Sequence, residues 1–505
     1  AEFDREIADA VAAVHGDATL PERPGHASGR YRTDVARWLL AWSPGVEWDP
    51  YATRNNDRRQ PGAPAYQGRY IASTEGATRT ESWLAARLDH LATLEAQRGW
   101  SRPLTFTNWL TTDPLEHPEE PMDKEDMVSV DAMHLRAHHK GQAVMITEFG
   151  VPTGIGSAHL GPLGRDQGDH PEQETGRMDA DMLGAIERQK MAGGLLFSYT
   201  DEWFKRTWNT MDMEKPEDRR PLWQNALTNE EQFGLVAAEA GKQAAVTADG
   251  SAEEWTRTQS QQIYEGGGTV REVRATHDAN WLYLLVRRSG EKAVQLGFDV
   301  RPGGNQGLPG RPGVSPDADV AISLGPGRKA VLHEAAWTDP IGFLYGLARP
   351  YVPVEEADLE PGSGAWVRPK LMLNRPYTVP RTGERRPTET LDISALRWGT
   401  ADPKARAFDD RVTVAGGGNV VELRIPWAML TFTDPSSRQV WVPKADGSVD
   451  TLKVGRLGID LTPAGEAAVS TNGYGWDEWN RVDFHDRRKA GWPVVQRSMR
   501  GAAAR

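Results

Sequence analysis

Hydrophobic rhythm changes once along this chain, near Ala237, and that change dictates the choice of fold. Before it, Phe3, Ile7, Val11 and Val14 predict one amphipathic helix, Leu84, Leu88, Leu91 and Leu94 a second, and Met178, Met182 and Ile186 a third. Between them, the apolar runs Trp38 to Trp42, Pro103 to Asn108, Ala143 to Gly150 and Gly194 to Tyr199 read as buried strands. Continuous apolar strands alternating with helices predict a parallel sheet covered on both faces. After Ala237 apolar residues recur at every second position, as in Trp281 to Arg287 and Val420 to Ile425, between turns rich in Gly and Pro. Such segments predict a sandwich. The expected fold is therefore an α/β (β/α)8-type barrel over residues 1–240, incomplete as the chain stands, followed by an all-β sandwich over 241–505. The boundary is expected between Ala237 and Thr247.

Composition narrows the function. A length of 505 residues is ample for two cores, and net charge is −12 with both signs interspersed, which disfavours a nucleic-acid or anionic-membrane surface. The chain has no Cys, so disulfides, thiolate metal sites and cysteine nucleophiles are excluded. No apolar run approaches the roughly 18 residues of a membrane span, and the sequence opens inside an amphipathic helix, as if mid-domain. Trp is abundant, at 19 against 11 Phe and 11 Tyr, and indoles either stack on sugar rings or fill cores.

Each predicted strand closes on an acid or amide beside an aromatic, and parallel barrels carry their sites at that rim. Glu47 and Glu148 are the foremost pair, because glycosidic cleavage needs two carboxyls, one protonated and one ionised. The bland alternative is a rim salt bridge. Trp48, Asn108, Trp109, Asp201, Glu202, Trp203 and Trp208 are candidate sugar contacts, with Asp113 and Asp131 behind them. Asp201 and Glu202 serve equally well as partners of Lys205 and Arg206. A metal is not expected, since His138 and His139 are adjacent and no His-Glu-x-x-His spacing occurs. Arg301-Pro302-Gly303-Gly304 lacks the Lys-Ser/Thr of a phosphate loop and reads as a hairpin turn.

Thr147-Glu148-Phe149-Gly150 resembles the nucleophile strand of clan A glycoside hydrolases, the seventh of their barrel, and Leu39-Leu40-Ala41-Trp42 leading to Glu47 resembles their fourth-strand acid/base region. Val46 stands where those enzymes usually have Asn. Pro24-Gly25-His26-Ala27-Ser28-Gly29, Phe106-Thr107-Asn108-Trp109 with Thr112-Asp113-Pro114-Leu115, and Asp201-Glu202-Trp203-Phe204-Lys205-Arg206-Thr207-Trp208-Asn209-Thr210 resemble motifs of a bacterial family of such barrels with a C-terminal sandwich. Some of its members are grouped with family 2 glycosyltransferases. Asp249-Gly250 with Glu254-Trp255, then His277-Asp278-Ala279-Asn280-Trp281-Leu282-Tyr283, resembles the opening of family 9 carbohydrate-binding modules. Val421-Glu422-Leu423-Arg424-Ile425-Pro426-Trp427 resembles a later strand of that fold. Trp476 and Trp479 either face a sugar or pack at the sandwich edge.

These resemblances imply a retaining glycosidase or transglycosylase acting on an extracellular or cell-surface polysaccharide, with Glu148 as nucleophile, Glu47 as acid/base and no cofactor. The rival readings are a non-catalytic glycan-binding or scaffold protein of polysaccharide assembly or export, associated with a membrane glycosyltransferase or surface assembly, and a purely structural component. If Glu47 follows the fourth strand and Glu148 the seventh, Trp109 to Gln142 is too short for two helices and a strand. Either the barrel is a degenerate half-barrel, or segments are missing near Arg136-Ala137 and ahead of residue 1; the second is the expectation.

Overall fold

The computed structural model describes residues 2–23, 26–45, 48, 50–62, 64–107, 141, 143–160, 166–304, 307–311, 317–378, 383–444 and 446–503. The chain forms two compact units, Ala1–Pro118 and Glu119–Arg505.

In the first unit, helix α1 (Glu2–Val14) turns Ile7 and Val11 toward Leu91 of helix α3 (Arg79–Gln97), with Phe3, Trp42, Leu94 and Leu104 around them. Helix α2 (Pro50–Arg59) lies between the two in sequence. Thr78 starts α3 with a capping box: its side chain accepts from Glu81 N–H while the Glu81 carboxylate accepts from Thr78 N–H. Asp89, buried on the same helix, accepts from the N–H groups of Tyr70 (2.6 Å) and Ile71 (2.9 Å) and from the Tyr66 hydroxyl (3.1 Å), which fixes the incoming loop. A parallel bridge joins Trp42 to Leu104.

The second unit is built on a β-sandwich. One sheet runs Trp398–Gly399, Val414–Gly417, Val420–Pro426, Trp281–Arg288, Val270–His277, Gln261–Glu265; the other runs Trp366–Val367, Lys329–Ala335, Val320–Gly325, Val294–Asp299, Gly458–Pro463, Val469–Ser470. Every pairing is antiparallel except Trp398–Gly399 with Val414–Gly417. Alternation places Leu282, Leu284, Val286, Leu423 and Ile425 of the first sheet against Leu296, Phe298, Ile322, Leu332 and Leu461 of the second, in one continuous core. Each such side chain stabilises the fold by roughly 1.5–3 kcal/mol through removal from water.

The first sheet is buried on its other face too. Tyr283 and Leu285 point away from the main core and pack with Val246 and Trp255. The segment leading into the sandwich covers this face: strand Val236–Ala240 pairs antiparallel with Phe484–Arg488, so residues on either side of the sandwich in sequence close a two-stranded ribbon. Helices α4 (Glu172–Arg188) and α5 (Trp492–Ala503) follow the same arrangement. Gly176 and Gly491 meet so closely that a Cβ on Gly176 would stand 2.4 Å from Gly491 Cα, so neither position has room for a side chain.

The expected barrel is not found among the described residues. Strand content, at about 30% against 25% helix, makes them mainly β, and no barrel closes among them. Ile146–Phe149 and Gly194–Leu196 do pair in parallel and pack on α4, but they form a sheet of two strands. Local periodicity specified strands and a helix correctly here; closure depends on pairings between distant segments, and local periodicity does not encode them. Trp38 to Trp42 is not a strand: Ala36–Trp38 is a 3-10 turn, leaving Trp38 68% and Leu40 77% exposed. The expected break at Arg136-Ala137 lies outside the described residues.

Candidate functional site

A group of eight carboxyl and cationic side chains in the second unit lies where the ribbon and the N-terminus of α4 cover the first sandwich sheet. They line a half-open cavity of about 120 Å³. At roughly 10–15 Å³ per water it has room for about ten waters or a small polar ligand. Ala237, Ala238 and Ala240 of the ribbon form part of its wall, and their short side chains leave the space. Trp281 and Phe408 add aromatic surface, while Asn280 and Gln224 add amides.

Lys489 is 4% exposed, and its ammonium donates at 2.8 Å to Thr153 Oγ1, Asp201 Oδ1 and the Gln232 carbonyl. Arg487 grips Glu172 with two nitrogens (2.5 and 3.0 Å) and donates through Nε to Glu239 Oε1 at 2.6 Å. The Glu172 carboxylate also accepts from Ala490 N–H at 2.7 Å, and Glu172 N–H donates to Asp410 Oδ1 at 2.9 Å. Asp410 thus stands at the positive end of α4. Arg424 donates to the Val412 and Asp410 carbonyls, with its guanidinium 4.6 Å over the Trp281 ring. Asp278 accepts from the Asn280 and Trp281 N–H groups (2.8 and 2.9 Å) and from the Tyr283 hydroxyl (2.8 Å).

Burial raises the pKa of three of these carboxyls. Asp410 is pushed up to about 7 by burial and then by the charge of Glu172. Asp278 rises to about 6 through burial, against the hydrogen bonds it accepts. Asp201 also rises to about 6, because the cost of burial exceeds the pull of Lys489.

No protein-family model, curated protein or solved structure matches this chain. The site must therefore be judged on its own chemistry.

Of the residues expected to form a sugar cleft, the cavity includes Asp201 alone. Glu148 is exposed on Ile146–Phe149, while Glu47, Asn108 and Trp109 lie outside the described residues. Trp48 packs against Phe3 and Trp83 in the first unit. Glu202 lies 3.4 Å from Lys205 Nζ, its bland alternative. Trp203 is buried with its indole donating to the Ala238 carbonyl, and the Trp208 indole donates to the Ala158 carbonyl beside Tyr345. Trp476 and Trp479 likewise spend their N–H groups on the Pro435 and Leu222 carbonyls. Sequence reasoning missed Glu172, Asp410, Arg487 and Lys489. One signal was present: in Val421-Glu422-Leu423-Arg424-Ile425 the charges alternate with apolar residues, a pattern that reads as a solvated face until the ribbon covers it.

Among the described residues no group of three or more His, Asp and Glu is disposed to hold a metal ion, and no helix is long and apolar enough to cross a membrane.

Proposed function

We propose that the chain is a glycan-binding protein of an extracellular or cell-surface polysaccharide system, and that the cavity over the first sandwich sheet holds one sugar residue. The observation that carries this reading is the lining itself: carboxyls, amides and guanidinium groups in fixed hydrogen-bonding positions beside Trp281 and Phe408. Sugar hydroxyls donate and accept in the directions such planar groups favour, and the apolar face of a pyranose packs on aromatic rings. The likeness of His277 to Tyr283 to family 9 carbohydrate-binding modules supports the same reading, since Asp278, Asn280, Trp281 and Tyr283 all line the cavity.

Hydrolysis by Glu148 and Glu47 has less support, because Glu148 is exposed on a two-stranded sheet with no barrel rim around it among the described residues. Titration calorimetry of the full chain against a panel of oligosaccharides tests the binding reading. At least one oligosaccharide should bind, and Trp281→Ala should weaken it tenfold or more. Binding unaffected by that substitution would remove the cavity as the site. Release of reducing ends by the intact chain but not by Glu148→Gln would replace the binding reading with the hydrolytic one.

A further inference from the structure

The cavity has an uneven supply of donors and acceptors. Lys489 has three N–H groups and all three are used within the protein. Arg487 is already paired with Glu172 and Glu239, while Arg424 donates to two backbone carbonyls and lies over the Trp281 ring. Acceptors are in surplus. Asp410 accepts from Glu172 N–H at Oδ1, and its Oδ2 takes no hydrogen bond from the described residues. Asn280 is 6% exposed and its Oδ1 has no partner among the described residues, although its Nδ2 donates to Gln224 Oε1 at 2.6 Å. A buried amide oxygen left unpaired costs about 1–3 kcal/mol, which a donor from a ligand would recover.

Charge points the same way. Five carboxyls line the cavity (Glu172, Asp201, Glu239, Asp278 and Asp410) against three cations (Arg424, Arg487 and Lys489), an excess of two negative charges when all are ionised. Around Asp410 itself stand Glu172 from α4, its neighbours Asp409 and Arg411, Arg424 from the sheet, and Lys489. Burial, and after it the charge of Glu172, raises its pKa. The carboxyls do not converge as a metal ion requires, so the charge is spread over a wall that a larger organic cation can line.

Resting on the glycan-binding reading, we infer that the cavity takes a sugar bearing a free primary ammonium group, such as a residue of an N-deacetylated hexosamine polymer, with Asp410 as counter-ion and the Asn280 amide oxygen as a further acceptor. An N-acetyl group would carry no charge to meet Asp410, and a uronate would add a third excess negative charge.

Calorimetry with the full chain and four probes tests this: a β-1,4-glucosamine oligomer, its N-acetylated counterpart, a glucose oligomer and a galacturonate oligomer. At pH 7 the glucosamine oligomer should bind at least tenfold more tightly than the N-acetylated one, and the galacturonate oligomer least. Because the whole chain carries a net charge of −12, some attraction for any polycation is expected; Asp410→Asn separates the two, since it should bring the glucosamine and N-acetylated oligomers to the same affinity. A second readout does not depend on the variant folding. Binding should expel the Asp410 proton, so heats measured in two buffers of different ionisation enthalpy should differ, and affinity should fall both below about pH 7, where Asp410 holds its proton, and above about pH 8, where a primary amine loses its own. Equal affinity for the glucosamine and N-acetylated oligomers, or a preference that survives Asp410→Asn with no proton release, overturns the inference and leaves the glycan-binding reading standing. Failure of every sugar to bind overturns both.

Discussion

Individual side chains in the second unit do work that their local sequence conceals. Trp255 is fully buried, and its indole donates to the Glu422 carboxylate, which also accepts from Asp249 and Gly250 N–H and sits in mid-strand with its pKa pushed by burial up to about 7. Trp255→Phe keeps most of the apolar volume and deletes that donor. The expected loss of stability is about 1–3 kcal/mol, read from urea unfolding, because a buried acceptor is left short of a partner. Lys489→Met should cost more, about 3–5 kcal/mol by the same measurement, since it leaves the buried Asp201 carboxyl without its counter-ion. Adding Asp201→Asn should recover part of that loss. These residues were hidden in the sequence for a simple reason. Asp410, Glu172 and Lys489 lie far apart along the chain, none in a motif, and their meeting depends on the ribbon. Trp203 and Trp208 were visible as a motif, but composition does not distinguish an indole that stacks on a ligand from one that donates to a backbone carbonyl.

Elements were more legible than their assembly. The apolar spacing of Leu84, Leu88, Leu91 and Leu94 locates α3, and its start is set by Thr78 and Glu81. Thr78→Ala removes one half of the capping box and should destabilise the first unit by about 1 kcal/mol, measurable as a fall in the helical circular-dichroism transition midpoint. The run from Trp38 to Trp42 shows how turn chemistry defeats an apolar pattern. Asp34 Oδ1 accepts from Ala36 N–H at 2.8 Å and sets up a tight turn, so the residues that follow never enter a ladder. Two alternating strands of the sandwich were legible, Trp281–Arg288 and Val420–Pro426, although not that they pair. The parallel pair Ile146–Phe149 and Gly194–Leu196 was legible as well. A barrel inferred from them was not warranted, because two adjacent parallel strands are common to many architectures.

At the scale of the whole molecule, the buried acids and one buried histidine set the response to pH. Asp179, Asp410 and Glu422 have folded-state pKa values near 7, well above those of the free side chains, so the folded state holds protons that the unfolded chain has released, and stability falls as pH rises toward and through 7. His277, lowered to about 4 by burial, acts in the opposite sense: protonation of the unfolded chain opposes folding until pH climbs past about 6.5. The two effects oppose each other between about pH 4 and 6.5, and above that the acids alone remain. Urea unfolding should therefore show stability declining by roughly 1–2 kcal/mol from pH 6.5 to 8, and less in Asp410→Asn. The ribbon has a consequence for the order in which this structure can be assembled. Glu239 and Arg487, separated by 248 positions, meet in it, so the sandwich strands must be made before the strand that completes the cavity exists. Closing so long a loop is slow in entropic terms and rewarded only at the end. During synthesis Val246 and Trp255 can already cover Tyr283 and Glu422, but any nascent chain that stops short of Phe484 lacks Arg487 and Lys489, which leaves Glu172 and Asp201 without their cations and makes the unfinished chain a substrate for chaperones or proteases.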